Sequence, residues 1–208
     1  MMGITYTPTR VVSVIVLLTA ALLSGCADHP VTRLHILTPI QNATHQLKSP
    51  SVIIKTVGIR EIKLPAYLDR PQIVSRVGDN ELILSSSHQW GEPLSQSVSR
   101  VLAEQLDNAF VDAHVLAYPW LHKQTIAAQI EVRIKQFEIV DMQACVLDVS
   151  WLIWPKDSNI ATTHHTMITV PVTNQQYNVL VTAHSQALVQ LSQQIASSLS
   201  GVFQELHE

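Results

Sequence analysis

The sequence predicts an α/β (α+β-like) fold in which a mixed β-sheet carries two main helices, and three observations point to it. Extended runs recur through the chain. In the clearest, Ala128, Ile130, Val132 and Ile134 alternate with Gln129, Glu131, Arg133 and Lys135, the period-two pattern of a strand with one dry and one wet face. Two other stretches, 93–110 and 180–206, instead place apolar residues three and four apart, as amphipathic helices do. The two kinds of segment follow one another along 208 residues, and two helical apolar stripes are what the dry face of a sheet needs as cover. That length allows one domain with a sizeable core and would leave two domains cramped.

The chain divides into three parts. Residues 1–25 read as a signal peptide: one positive charge at Arg10, thirteen largely apolar residues from Val11 to Leu23, then the small pair Ser24 and Gly25. A transmembrane helix is the alternative, but a span needs roughly 17 to 25 apolar residues, and no cluster of stop-transfer charges follows. Leu23-Ser24-Gly25-Cys26 resembles the bacterial lipobox, which implies cleavage before Cys26 and a covalent diacylglycerol and N-acyl chain on that cysteine. No other cofactor is expected. Several acyl chains hold a protein to a bilayer almost permanently, since each buried methylene contributes about 0.8 kcal/mol. In such lipoproteins an aspartate directly after the cysteine favours the inner membrane. Here Ala27 stands there and Asp28 follows, so the expected location is the periplasmic face of the outer membrane. Residues 10–24 are expected to stand as a helix detached from the mature fold. Residues 26–50 read as a lipidated N-terminus and tether, polar and proline-interrupted, with Leu34 to Leu37 apolar enough to add a strand. Residues 51–208 read as a single α/β domain.

Within that domain Ser51 to Ile59 is β-branched and reads as a buried central strand. Leu64-Pro65 and Pro71 bound the loop LPAYLDRP, because each proline fixes φ and excludes helix between them. Gln72 to Val77 and Glu81 to Ser86 flank Gly78-Asp79-Asn80, three turn formers that make a hairpin. Trp90-Gly91-Glu92-Pro93 has the chemistry of a helix start, with proline in the first turn and a negative charge beside it. Leu94, Val98, Val101, Leu102, Leu106, Ala109 and Phe110 then mark the apolar face of a helix from Pro93 to Phe110. His114 to Tyr118 is a short strand. Past Ile134 the apolar positions shift to Phe137 and Ile139, which predicts a bulge near Gln136 or a strand end. Ala144 to Trp154 is apolar on both faces and belongs inside the sheet, with Thr162 to Val170 pairing across the turn 155–159. Leu180 to Leu206 is a long helix whose other face, rich in Gln and Ser, is nearly uncharged.

Composition narrows the chemistry. The net charge is −3, and losing Arg10 with the leader makes the remainder more acidic still. A nucleic-acid partner calls for a basic stripe, so none is expected. With Cys26 acylated, Cys145 is a lone thiol among apolar neighbours and reads as a buried core residue. The ten histidines are scattered, and the adjacent pair His164-His165 lies in a strand, where neighbours face opposite sides. No HExxH or paired CxxC occurs, so no metal is expected. Ser85-Ser86-Ser87 and His88 have no carboxylate at a recognisable spacing, and GxSxG, GxGxxG and Walker patterns are absent from the sequence. The chain reads as non-enzymatic.

The stretch from Val57 to Leu106 adds sequence to this order of elements. Leu64-Pro65, Tyr67-Leu68-Asp69-Arg70-Pro71, the hairpin after Ile73-Val74, and Trp90 with Glu92-Pro93-Leu94 resemble, in place and in order, the signature of the ABC-type transport auxiliary lipoproteins, the PqiC (YmbA) family. The resemblance implies a mixed sheet with helices packed on it, similar to the amino-terminal domain of TolB. It implies an outer-membrane lipoprotein serving as a non-enzymatic docking component of an intermembrane transport system for lipids or other hydrophobic molecules, supporting envelope integrity. The implied partners are the outer membrane, through the anchor, and an MCE-domain transport protein of the PqiB kind.

In the loop, Tyr67 and Leu68 can fold back as a plug on the sheet, with Asp69 and Arg70 placed to pair or to satisfy loop backbone groups. In the second reading Tyr67, Leu68, Asp69 and Arg70 belong to a partner-binding surface, since Tyr and Arg are enriched at binding hot spots. Trp90 has the same two readings, packing at the helix start or partner contact. Trp151 and Trp154, three apart in a strand, face opposite sides. Two other functions stay open: a lipid carrier enclosing an acyl chain between sheet and helices, and a structural lipoprotein that assembles as a homo-oligomer. A filled core counts against the carrier.

Overall fold

The computed structural model describes residues 31–40, 56–110, 114–120, 126–156 and 158–205. The leader with its expected helix, Cys26 and the first half of the strand 51–59 lie outside these residues. The elements run β1 (Arg33–His35), β2 (Thr56–Ile59), β3 (Gln72–Val77), β4 (Glu81–Trp90), α1 (Leu94–Ala109), β5 (His114–Ala117), β6 (Ala128–Val140), β7 (Ala144–Pro155), β8 (Thr162–Pro171) and α2 (Tyr177–Glu205).

The strands form one mixed sheet built around β6. β7 runs antiparallel along the whole of one edge of β6, and β8 runs antiparallel outside β7. The other edge is shared. β2 pairs in parallel with its start, Val57↔Ala128 to Ile59↔Ile130, and carries β5 beyond it. β3 pairs in parallel with its end, Ser75↔Ile139 and Arg76↔Val140, and carries β4 and then β1. Between the two wings the chain follows β6 and bridges it at Lys63↔Arg133.

The alternation along β6 buries Ala128, Ile130, Val132 and Ile134. A register shift between Ile134 and Gln136 then returns Phe137 and Ile139 to the buried side, the bulge that the odd step in the sequence predicts. The β6–β7 turn places Asp141 and Met142 at φ 49 and 54, the left-handed pair that suits the twist of a tight hairpin. Asp141 also accepts a hydrogen bond at Oδ1 from the Gly78 N–H (2.9 Å), tying this turn to the β3–β4 turn, where Gly78 has φ 57.

Leu94, Val98, Val101, Leu102 and Leu106 of α1 and Leu180, Ala187, Leu188, Leu191, Ile195 and Leu199 of α2 join Ile130, Phe137, Leu147 and Ile153 in one continuous buried cluster. The helices pack on each other and on this face of the sheet. Cys145 lies in the cluster, and burial pushes its thiol above the ordinary range.

Two boundaries differ from the sequence reading. β4 continues past Ser86 to Trp90 because its last residues pair with β1, from Arg33↔His88 to His35↔Trp90. Trp90 therefore ends a strand rather than opening the helix, whose N-cap is Pro93. Glu92 is tied to the first turns instead, accepting from Ser97 Oγ at 2.6 Å and Arg100 Nη2 at 2.5 Å, bonds that hold its carboxyl below the usual range. Within the tether the sheet takes in Arg33–His35, overlapping the apolar piece Leu34 to Leu37 that the sequence offered as a strand.

Candidate functional site

The site forms where the chain leaves β2 and crosses the gap between the two wings. Arg60 N–H donates to Ile130 O (2.8 Å), Lys63 N–H to Val132 O (3.1 Å), and Ile134 N–H to Lys63 O (2.9 Å), so this stretch continues the sheet. Pro65 ends that run because it has no N–H to donate. A tight loop follows, with Leu68 N–H on Pro65 O and Arg70 N–H on Leu68 O, both 2.9 Å.

The loop is fastened to Glu138, a fully buried carboxylate on a polar position of β6. Tyr67 donates its hydroxyl proton to Glu138 Oε2 (3.0 Å), Phe137 N–H donates to the same oxygen (3.0 Å), and Arg76 Nε donates to Oε1 (2.7 Å). The Arg76 guanidinium also lies 5.7 Å from the centre of the Tyr67 ring. Three segments thus converge on one charge, as a buried carboxylate requires. Burial, and then the Glu138 carboxylate, push the Tyr67 phenol up to about 12.

A second buried carboxylate of β6, Glu131, gathers Arg133 (2.5 Å), Lys63 (3.4 Å) and Arg60 (3.5 Å). Burial alone would raise its pKa, but the hydrogen bonds from Arg133 and Lys63 outweigh burial and hold it below the usual range.

The five candidate residues separate by burial. Leu68 is 2 % exposed and Trp90 6 %, so both pack in the interior and leave little surface for a partner. Tyr67 and Arg70 are half-buried and Asp69 is exposed, and Asp69 and Arg70 form no ion pair with each other. Trp90 is nevertheless joined to the loop, through its N–H to Pro71 O at 2.7 Å. Its ring meets His184 edge-on at 5.4 Å, and His184 meets Phe137 at 4.9 Å. His184 donates from Nδ1 to Leu180 O (2.8 Å), and its complete burial lowers its pKa to about 4.

Other histidines among the described residues have partners of their own. His88 stacks on Tyr177 at 3.7 Å and hydrogen-bonds His35 at 2.8 Å. His164 stacks on Trp151, while His165 meets Asp148 at 2.6 Å, the opposite facing expected of strand neighbours. Among the described residues no group of three or more His, Cys, Asp or Glu could hold a metal ion, and no helix is long and apolar enough to cross a membrane.

The sequence did not reveal Glu131 and Glu138 as buried hubs. The available signal was weak: two glutamates on one strand with arginine or lysine on each adjoining segment, a pattern that exposed strands share.

Two helices on one side of a mixed sheet, with a proline-bounded loop locked to a buried glutamate, define a two-layer α/β domain with a loop-capped site. The chain belongs to the ABC-type transport auxiliary lipoprotein component family, whose pattern matches residues 35–196. An uncharacterized protein of known structure is similar at 17 % identity and a TM-score of 0.65, over 81 % of this chain and 99 % of its own. A protein of Xanthomonas campestris assigned to family DUF330 is similar at 14 % identity and a TM-score of 0.64, over 86 % of this chain and 98 % of its own. At such identities the likeness is one of fold. No curated protein matches the sequence. The predicted mixed sheet with two helices and the family resemblance both stand.

Proposed function

We propose that this chain is an outer-membrane lipoprotein, acylated at Cys26, that acts without catalysis as the docking component of an MCE-type intermembrane transport system. The acyl chains hold the domain at the periplasmic face, and the anchored domain meets an MCE-domain protein at high effective concentration. The observation that carries this reading is the loop, where Tyr67 is locked to Glu138 while, beside it, Asp69 is exposed and Arg70 is half-buried with no hydrogen-bond partner at its buried Nε. A rigid base under two charged side chains suits recognition, because little conformational freedom is lost on binding. Family membership supports the transport role.

The carrier reading is less well supported, since the space between sheet and helices is occupied by the continuous cluster that includes Phe137, Leu147, Leu188 and Ile195. Pull-down of an MCE-domain partner by the full chain tests the docking reading. Asp69→Ala with Arg70→Ala is expected to weaken capture about tenfold or more at an unchanged melting temperature. Cys26→Ser is expected to release the protein from the outer-membrane fraction. Failure of the unaltered chain to capture any MCE-domain protein would end this reading.

A further inference from the structure

Of the large apolar side chains that stay exposed among the described residues, Leu34, Ile36, Val77, Ile83 and Leu84 fall in β1, β3 and β4 or directly beside them. Register sorts them by face. Gln72 pairs with Gln89 and Val74 with Leu84, while Leu34 pairs with Gln89, and directly paired residues share a face. Ile36 and Val74 come two residues after Leu34 and Gln72, so Leu34, Ile36 and Leu84 point the same way. His88 and Trp90, on either side of Gln89, point the other way, to Tyr177 and His184 of α2. The three aliphatic side chains therefore stand on the face that the helices leave open.

Leu34, Ile36 and Leu84 are 65, 55 and 43 % exposed, and the polar residues among them, Gln72 and Gln89, carry no charge. Gly91 holds two of them together. A Cβ there would lie 3.0 Å from Ile36 Cγ2 and 3.8 Å from Leu34 Cβ, so a side chain would push Ile36 aside. Farther in, the loop closes over the same face at Glu138, which confines the open apolar area to the β1 end.

We propose that this end of the sheet rests on the bilayer that holds the acyl chains, with Leu34 and Ile36 entering the boundary between head groups and hydrocarbon. The inference rests on acylation of Cys26. Leu34 comes eight residues after that cysteine, a stretch that reaches about 28 Å at full extension. β6, 13 residues long, spans about 43 Å. The anchor is thus too short for the domain to stand off by its own length, and β1 is the first element of the fold that it reaches. Composition favours lipid over protein as the occupant. Hot spots for protein partners are rich in Trp, Tyr and Arg and poor in Leu, whereas this group is wholly aliphatic, and hydrocarbon asks for no matching polar group. Uncharged neighbours keep the cost of leaving water low.

Fluorescence of the full chain, purified from membranes and reconstituted in vesicles of phosphatidylethanolamine and phosphatidylglycerol, tests this. With Cys26 acylated and Cys145 fully buried, Ile36→Cys supplies the one thiol open to an environment-sensitive nitrobenzoxadiazole label. The label is expected to shift to the blue. Quenching by doxyl-labelled lipid is expected to exceed that at Met167→Cys on β8 at least about threefold, because five strand spacings, about 24 Å, separate the two strands. Leu34→Asp in the labelled chain is expected to return the label to water at an unchanged melting temperature, since a carboxylate resists burial. A label that stays in water while the chain floats with the vesicles would overturn the contact and leave the anchor and docking readings standing. A blue shift without doxyl quenching would mean that protein, a second copy or a partner, covers the face, and would overturn it too. Failure to float would end the anchor reading itself, and this inference with it.

Discussion

Replacing Glu138 by Gln tests how the loop is held, and the geometry sets the size of the effect. The carboxylate accepts from Arg76 Nε at 2.7 Å, Tyr67 Oη at 3.0 Å and Phe137 N at 3.0 Å. An amide of the same shape offers one oxygen and one NH₂, so Phe137 N–H or Arg76 loses its acceptor. Breaking a buried ion pair by removing one partner costs about 3–5 kcal/mol. The Arg76 side chain is 21 % exposed and regains part of this from water, and one neutral hydrogen bond of about 1 kcal/mol survives. The expected net loss is about 2 kcal/mol. For a domain of this size that lowers the melting temperature by about 4–8 °C, read by circular dichroism of the full chain. Tyr67→Phe should cost about 1–2 kcal/mol, and the double variant should depart from additivity by more than about 0.5 kcal/mol. A Glu138→Gln melting temperature within about 1 °C of the parent, with additive behaviour in the cycle, would refute the claim that this carboxylate fastens the loop.

Three further outcomes are expected. Tyr67, held up at about 12, should appear in an ultraviolet titration as a late-ionising phenol that Tyr67→Phe removes. Its raised pKa contributes stability that is full below about 10 and lost as pH rises toward 12, and a titration unchanged by the substitution would contradict this. His184 has the opposite sign. Its pKa is lowered from 6.5 to about 4, so the neutral ring contributes stability above 6.5 that is lost as pH falls toward 4, about 3 kcal/mol in all; His184→Leu should flatten that part of the stability profile, and identical profiles would disprove the role. Gly58→Val should destabilise by about 1–3 kcal/mol and alter tryptophan fluorescence, because a Cβ there already meets the Trp120 ring at 3.2 Å; a neutral effect on both would show that the ring moves freely.

Periodicity exposed most of the fold. The alternation of β6, its bulge, the two-faced apolarity of β7 and the stripes of α1 and α2 each record a face that stays buried along one element. Boundaries failed where a distant segment decided them. β4 reaches Trp90 because β1 arrives beside it, and nothing within 81–90 announces that partner. The candidate site was half legible. The prolines marked the loop, and Leu68 did fold inward, but Glu138 lies between Phe137 and Ile139 on the side of an alternating strand that ordinarily faces solvent, and nothing local marks it as buried. Its burial comes from a loop more than sixty residues earlier closing over it, with Arg76 on yet another strand, information that no local period contains.

The sharing of one edge of β6 between two wings has a mechanical consequence. A load entering the sheet at β1 crosses its pairs with β4, passes to β3, and reaches β6 through Ser75↔Ile139 and Arg76↔Val140. That neck is short beside the long ladders joining β6, β7 and β8. Arg76 is both a register residue of the neck and the cation on Glu138, while Tyr67 grips the same carboxylate from the loop filling the gap. The buried glutamate therefore works as the bolt of a joint, and a load that passes from the β1–β4–β3 wing into β6 bears on it.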